Sequence, residues 1–212
     1  MIQAAQAAGR DPSSVTLVAV SKSKPAELIR AAATLGVTDF GENYVQEALD
    51  KINALRDLDL SWHFIGAIQS NKTRGIAERF SWVHSIDRLK VAQRLSEQRP
   101  FHAPPLNVCI QVALVPEETK GGVDPGALAA LAAGIDALPR LKLRGLMCVP
   151  PPVREPAAHR ALFERMRRLR EDLNASGLAL DTLSMGMSDD FETAIAAGAT
   201  MVRIGSAIFG SR

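Results

Sequence analysis

The chain has 212 residues, 47% of them hydrophobic, 23% charged and 5% aromatic, with 15 Gly, 12 Pro and two Cys. This is ordinary globular usage and excludes a disordered chain, a collagen-like repeat and a disulfide scaffold. Lys+Arg at 25 against Asp+Glu at 23 gives a net charge of +2, too balanced for a protein whose main partner is nucleic acid.

Apolar, β-branched runs alternate with segments of helical period from one end to the other. Residues 15–20 read as a strand; Pro25 then opens a helix through Leu35 that Gly36 stops. Residues 38–41 are a short strand with 44–55 as its helix, and 62–68 a strand followed by the helix 71–80. The unit repeats as 82–86 with 88–98, 106–115 with 124–138, 141–149 with 155–174, and 181–187 with 189–197, and residues 200–204 close the series. The longest apolar stretch, around residues 127–135, is far shorter than the ~18 residues of a membrane helix. The start MIQAAQAAGR lacks the charged region and long apolar core of a secretory signal. Cys109 and Cys148 lie inside apolar runs and read as buried, reduced thiols of a cytoplasmic protein.

Eight predicted strands recur about every 26 residues, enough for one compact βα unit each. A doubly wound open sheet uses the same alternation, but eight even units in so short a chain favour a single α/β domain over residues 1–212, a small (β/α)8 barrel of TIM type. Barrel chemistry sits at the C-terminal ends of the strands. There the sequence places Ser21-Lys22-Ser23-Lys24-Pro25, Gly41-Glu42-Asn43-Tyr44, Gln69-Ser70-Asn71-Lys72, Gly186-Met187-Ser188-Asp189-Asp190 and Arg203-Ile204-Gly205-Ser206. Strand alternation puts Lys22 on the side of Thr16, Val18 and Val20, the set better suited to the barrel interior, while the wholly apolar Val15, Leu17 and Ala19 suit the helix-facing side. A lysine held beside apolar walls exposes a nucleophilic amine, as a Schiff-base lysine requires; the alternative is a lysine that snorkels to solvent.

Gly186-Met187-Ser188 and Gly205-Ser206 follow strands 7 and 8, where barrels often bind phosphate. Ser188 also reads as an ordinary N-cap, with Asp189 and Asp190 in the first helical turn. His63, His84, His102 and His159 show no metal-ligand spacing, so no metal site is expected. In the basic run Arg165–Arg170, Leu162, Met166, Leu169 and Leu173 form a helical stripe that leaves the arginines on a solvated face rather than in a nucleic-acid patch. The proline-rich run 149–156 reads as a stiff loop at the pocket rim.

The segments AVSKSKP, DFGENYVQEALDKI, WHFIGAIQSNK, HSIDR, RGLMCVP and SMGMSDDFETAIAAGATMVRIGSAIFG together resemble the pyridoxal phosphate homeostasis proteins, also described as proline synthase co-transcribed homologues. The similarity runs from about residue 15 to 210. It implies a fold type III pyridoxal 5′-phosphate (PLP) barrel similar to the N-terminal barrel of alanine racemase. By motif, Lys22 corresponds to the lysine that forms the internal aldimine, and Ser188, Arg203, Gly205 and Ser206 to the phosphate and ring-nitrogen end. Asn43 in GENY matches a residue flanking the cofactor. Lys24 and Lys120 match lysines that assist cofactor transfer or release. Family members often carry Thr where Ser206 stands and usually have a longer first helix than this chain retains.

The function so implied is a PLP carrier in cytoplasmic PLP homeostasis, with no catalytic residue of its own and PLP-dependent apoenzymes as transient recipients. The competing reading is a PLP-dependent amino-acid racemase, and a more distant one a class I aldolase. Racemization needs a lysine and a tyrosine on opposite faces of the substrate; the tyrosine comes from a second domain, for which no room is expected after residue 210, and Tyr44 is the single tyrosine. A monomer that binds neither membrane nor nucleic acid is expected.

Overall fold

The computed structural model describes residues 1–115, 121–151 and 156–210. Eight strands form a closed, all-parallel barrel in chain order: β1 (Thr16–Val20), β2 (Asp39–Glu42), β3 (Ser61–Phe64), β4 (Trp82–Ile86), β5 (Leu106–Gln111), β6 (Leu141–Met147), β7 (Thr182–Ser184) and β8 (Met201–Ile204). Closure comes from β1 pairing with β8, with Val18 beside Arg203 and Ala19 beside Ile204. Parallel strands covered by helices are apolar on both faces, and every residue of β4 is buried.

The connecting helices are α2 (Ala26–Thr34), α3 (Val45–Ala54), α4 (Thr73–Arg79), α5 (Leu89–Gln98), α6 (Leu128–Asp136), α7 (Pro156–Ala175) and α8 (Phe191–Ala196); α1 (Ile2–Ala7) precedes the barrel and α9 (Ser206–Phe209) follows it. Pro25 is the N-cap of α2 rather than its first residue, and Gly36, at φ +90°, follows the helix end as its length and left-handed backbone require. α1 packs against α8, and Arg10 fastens this end by donating to the carbonyls of Ile195 and Ala199 at 2.8 and 2.6 Å.

The main core lies between strands and helices and includes Ala19, Ile29, Phe40, Phe64, Phe163 and Val202. A separate cluster of Val18, Trp82, Cys109, Met147 and Met201 fills the barrel. Val18 therefore lies on the inner side, and Val15 and Ala19 on the helix side. Along α7, Met166 and Leu173 are buried while Arg165, Arg167 and Arg168 are exposed; Phe163 joins the buried face beyond the predicted stripe.

Several strands are shorter than their apolar runs. β3 ends at Phe64, β5 at Gln111, β6 at Met147 and β7 at Ser184; the next N–H of each, from Ile65, Val112, Cys148 and Met185, still donates to the neighbouring strand before the chain turns into the C-terminal rim. A 3-10 turn at Ser70–Lys72 precedes α4, and another at Pro125–Ala127 precedes α6, where Asp124 accepts the Gly126 N–H at 2.7 Å. Both cysteines are buried and free. No helix among the described residues is long and apolar enough to cross a membrane.

Candidate functional site

The C-terminal rim encloses a cavity of ≈ 400 Å³. Its walls include Lys22 after β1, Asn43 after β2, Ser188 after β7, and Arg203, Gly205 and Ser206 at the end of β8. All six candidate residues thus meet around one space, although 181 positions separate Lys22 from Arg203. Lys24, Val149, Met187 and Asp189 complete part of the rim. Val149 confirms that the start of the proline-rich loop reaches the pocket edge, whereas residues 152–155 and Lys120 lie outside the described residues.

Close backbone approach makes the cavity possible at two glycines. A Cβ on Gly66 would fall 2.2 Å from the Asn43 carbonyl oxygen, so Gly66 lets the Asn43 turn settle against the barrel mouth. Gly186, at φ +97°, has room for no Cβ beside that of Ala194, which would be 2.6 Å away. The Gly186 turn carries Met187 and Ser188 over the cavity. Ser188 does not cap α8: Asp190 holds that position, and its carboxylate accepts the Met187 N–H at 2.6 Å. The Ser188 hydroxyl instead meets that of Ser206, which donates to it at 3.0 Å. Two hydroxyls from different strand ends converge at the exposed edge.

The inner wall is cationic. Arg203 is 4% exposed, donating through Nη1 to Ser184 Oγ at 2.7 Å and through Nη2 to the Cys148 carbonyl at 2.8 Å. Burial pulls its pKa below the ordinary arginine value, yet a guanidinium keeps its proton in proteins. Behind it runs a line of polar groups through the barrel: His84 Nδ1 to Ser184 Oγ at 2.7 Å, His84 Nε2 to His63 Nδ1 at 2.9 Å, and His63 Nε2 to Asp39 Oδ1 at 2.9 Å.

Burial lowers the pKa of both imidazoles, and that of His84 is driven further down by neighbouring His63 and Arg203. Burial alone would raise the Asp39 pKa, but the hydrogen bonds from His63 and Thr38 outweigh it and the net shift is downward. With Asp39 ionised and both rings neutral, every donor is determined. Arg203 donates to Ser184, Ser184 to His84, His84 to His63 and His63 to Asp39. The chain points one way, from the cavity wall to the N-terminal end of β2. The histidine count gave no sign of it, because 21 residues separate His63 from His84; polar residues in consecutive, otherwise apolar strands were the available signal.

The whole chain, residues 2–212, matches the family model described as alanine racemase, N-terminal domain. A pyridoxal phosphate homeostasis protein of Pseudomonas aeruginosa is 63% identical over 210 residues, covering 99% of this chain and 90% of the relative. One from Escherichia coli is 51% identical over 212 residues, covering 99% and 91%. The chain belongs to the pyridoxal phosphate homeostasis protein family. Among solved structures, PipY of Synechococcus elongatus PCC7942, determined with PLP bound, is 41% identical with a TM-score of 0.89 and covers 97% of each chain. Alanine racemase from Corynebacterium glutamicum shares the barrel fold, with a TM-score of 0.74 at 21% identity, this chain covering 58% of it. As a member of this family the chain has the alanine-racemase-like barrel that its strand spacing and motifs had led one to expect.

Proposed function

We propose that this chain binds pyridoxal 5′-phosphate in the rim cavity and serves cytoplasmic PLP homeostasis as a single-domain, monomeric carrier that hands the cofactor to apoenzymes. The observation that carries the reading is the convergence of Lys22, the Ser188–Ser206 hydroxyl pair and buried Arg203 on one ≈ 400 Å³ cavity. A lysine, a cluster of neutral donors and a fixed cation are what an aldehyde, a phosphate and a pyridine ring need. PLP supplies, when bound, an aldehyde that condenses with an amine to a Schiff base with loss of water.

Each residue has its own task. Lys22 provides the amine. Ser188 and Ser206 would donate to the phosphate, and Gly205 lets the end of β8 lie close to β1: a Cβ there would fall 3.2 Å from the Val20 carbonyl oxygen. Asn43 would flank the ring, and Lys24 lines the same cavity. Arg203, clamped by Ser184 and Cys148, would offer its further N–H groups to the ring-nitrogen end of the cofactor. An arginine there hydrogen-bonds but does not protonate the ring, which leaves it a poor electron sink and suits storage better than turnover. Tyr44 supports the same choice: it is 53% exposed and borders the neighbouring groove with Phe64 and Lys72 rather than the cavity.

The test is to load the protein with PLP, reduce it with borohydride and locate the modified lysine by mass spectrometry. A reduced adduct on Lys22, lost together with the yellow absorbance in Lys22→Ala, is the expected result. An unchanged spectrum in that variant overturns the role of Lys22. Robust stereoinversion of an amino acid by the loaded protein would overturn the carrier reading in favour of a racemase.

A further inference from the structure

Outside the cavity, behind the turn that carries Lys22, lies a buried ion cluster that neither spacing nor motif made visible. Lys51 on α3 has a side chain only 7% exposed, and its ammonium sends its three hydrogens to the Ser21 carbonyl at 2.7 Å, Glu42 Oε1 at 2.7 Å and Glu47 Oε1 at 2.5 Å. The two carboxylates hold the same turn. Glu42 Oε1 accepts the Ser21 hydroxyl at 2.6 Å, and Glu47 Oε1 accepts the Ser23 N–H at 2.6 Å. Every one of these bonds ends on Ser21 or Ser23, or on a group that grips one of them. Lys22 is the residue between.

Ser23 is the only non-glycine residue with a positive φ among the described residues, at +59°. That backbone is unfavourable for a residue bearing a Cβ and persists only where the surroundings impose it. The Ser21–Lys24 turn is closed by the Lys24 N–H on the Ser21 carbonyl at 3.1 Å, and the Glu47 carboxylate holds the Ser23 N–H within it. Glu42 is fully buried, and its second oxygen, Oε2, has no hydrogen-bond partner. Burial raises its pKa against the pull of Lys51. A buried carboxylate with an unmet oxygen is a poor stabiliser of the fold alone. Its position makes sense if it serves the turn.

We infer that Lys51, with Glu42 and Glu47, is a positioning residue that sets the direction of the Lys22 side chain by clamping the backbone on both sides of it. The inference rests on the reading of Lys22 as the cofactor-linked amine. Misplacing a reacting group by a fraction of its reach costs rate and affinity even where the group itself is intact. The clamp belongs to the turn, not to the cavity wall, since neither Lys51 nor the two glutamates line the cavity.

Glu47→Ala and Lys51→Met in the 212-residue chain test it. Alanine keeps the helical propensity of α3, and Glu47 has a partly exposed side chain, so the first variant stays folded even if loss of the buried ammonium unfolds the second. Both are expected to keep the borohydride-trapped adduct on Lys22, to release PLP about tenfold faster or more, and to shift the pH midpoint of the linkage absorbance. In the unloaded protein, hydrogen exchange at the Ser23 amide should accelerate by at least about tenfold in Glu47→Ala, with partial recovery in Glu47→Gln. Wild-type release, midpoint and Ser23 protection in a folded Glu47→Ala protein would overturn the clamp. Absence of a Lys22 adduct in the wild type would instead refute the reading of Lys22, while Ser23 exchange would still decide whether the clamp exists.

Discussion

Removing one hydroxyl, in Ser184→Ala, cuts the polar chain between Arg203 and the two histidines. Ser184 is fully buried, and its Oγ both receives a hydrogen from Arg203 Nη1 and donates to His84 Nδ1, each at 2.7 Å. The variant takes from a guanidinium N–H and an imidazole nitrogen the one hydroxyl they share inside the barrel. A buried polar group left unpaired costs ~1–3 kcal/mol, more if charged, whereas the space vacated by one oxygen adds little. The two losses sum to about 3 kcal/mol, and at the ~2–4 °C per kcal/mol expected for a domain of this size the melting temperature falls by roughly 6–12 °C. Thermal and urea unfolding followed by circular dichroism at pH 7.5 measure it. The PLP absorbance should also shift, because Arg203 loses one of its two anchors. A stability loss below about 1 kcal/mol with an unchanged spectrum would refute the argument that Arg203 is held through this hydroxyl.

Acidification probes the same chain. Burial depresses the pKa of His63 and His84, so between the folded values and the unfolded ~6.5 the unfolded state binds more protons, and stability falls as pH drops below ~6.5 by about 1.4 kcal/mol per pH unit for each ring. Glu42, raised by burial, acts in the opposite sense above the unfolded glutamate value, so the rings are best read directly: nitrogen NMR should find both neutral and protonated on Nε2 at pH 6.5, and an imidazolium there would refute the directional chain. Gly186→Ala should lose about 2–4 kcal/mol in chemical denaturation, since it combines φ +97° with a Cβ 2.6 Å from that of Ala194; wild-type stability would show that the turn has another conformation. Burial pushes the thiols of Cys109 and Cys148 up to about 12, so a thiol reagent at pH 8 should leave both unmodified in the native protein and label both in denaturant, and rapid native labelling would contradict their enclosure.

The barrel and the rim could be read before any coordinates because both follow from local rules. Eight apolar, β-branched runs, each followed by a helical segment, admit few closed arrangements. Once the strands are ordered, Lys22, Ser188 and Ser206 fall at their C-terminal ends by counting alone. The shortened ends of β3, β5 and β7 were not legible, because apolar residues such as Ile65, Ile68, Leu114 and Met185 continue the run past the last strand residue. Ser188 was legible as a polar rim residue but not as a partner of Ser206 rather than a helix cap.

Sequence by itself determined the order of elements, the end of the barrel at which chemistry gathers and, through long specific motifs, the family. Only the tertiary structure decided which buried polar groups meet. Asp39, His63, His84, Ser184 and Arg203 come from five different elements or strand positions, and the Lys51 cluster joins α3 to the turn after β1. The reason is physical: periodicity reports burial, which each residue meets within its own strand or helix, whereas a buried donor must find an acceptor wherever the closed barrel brings one within about 3 Å. That pairing is a property of closure, and no single segment contains it.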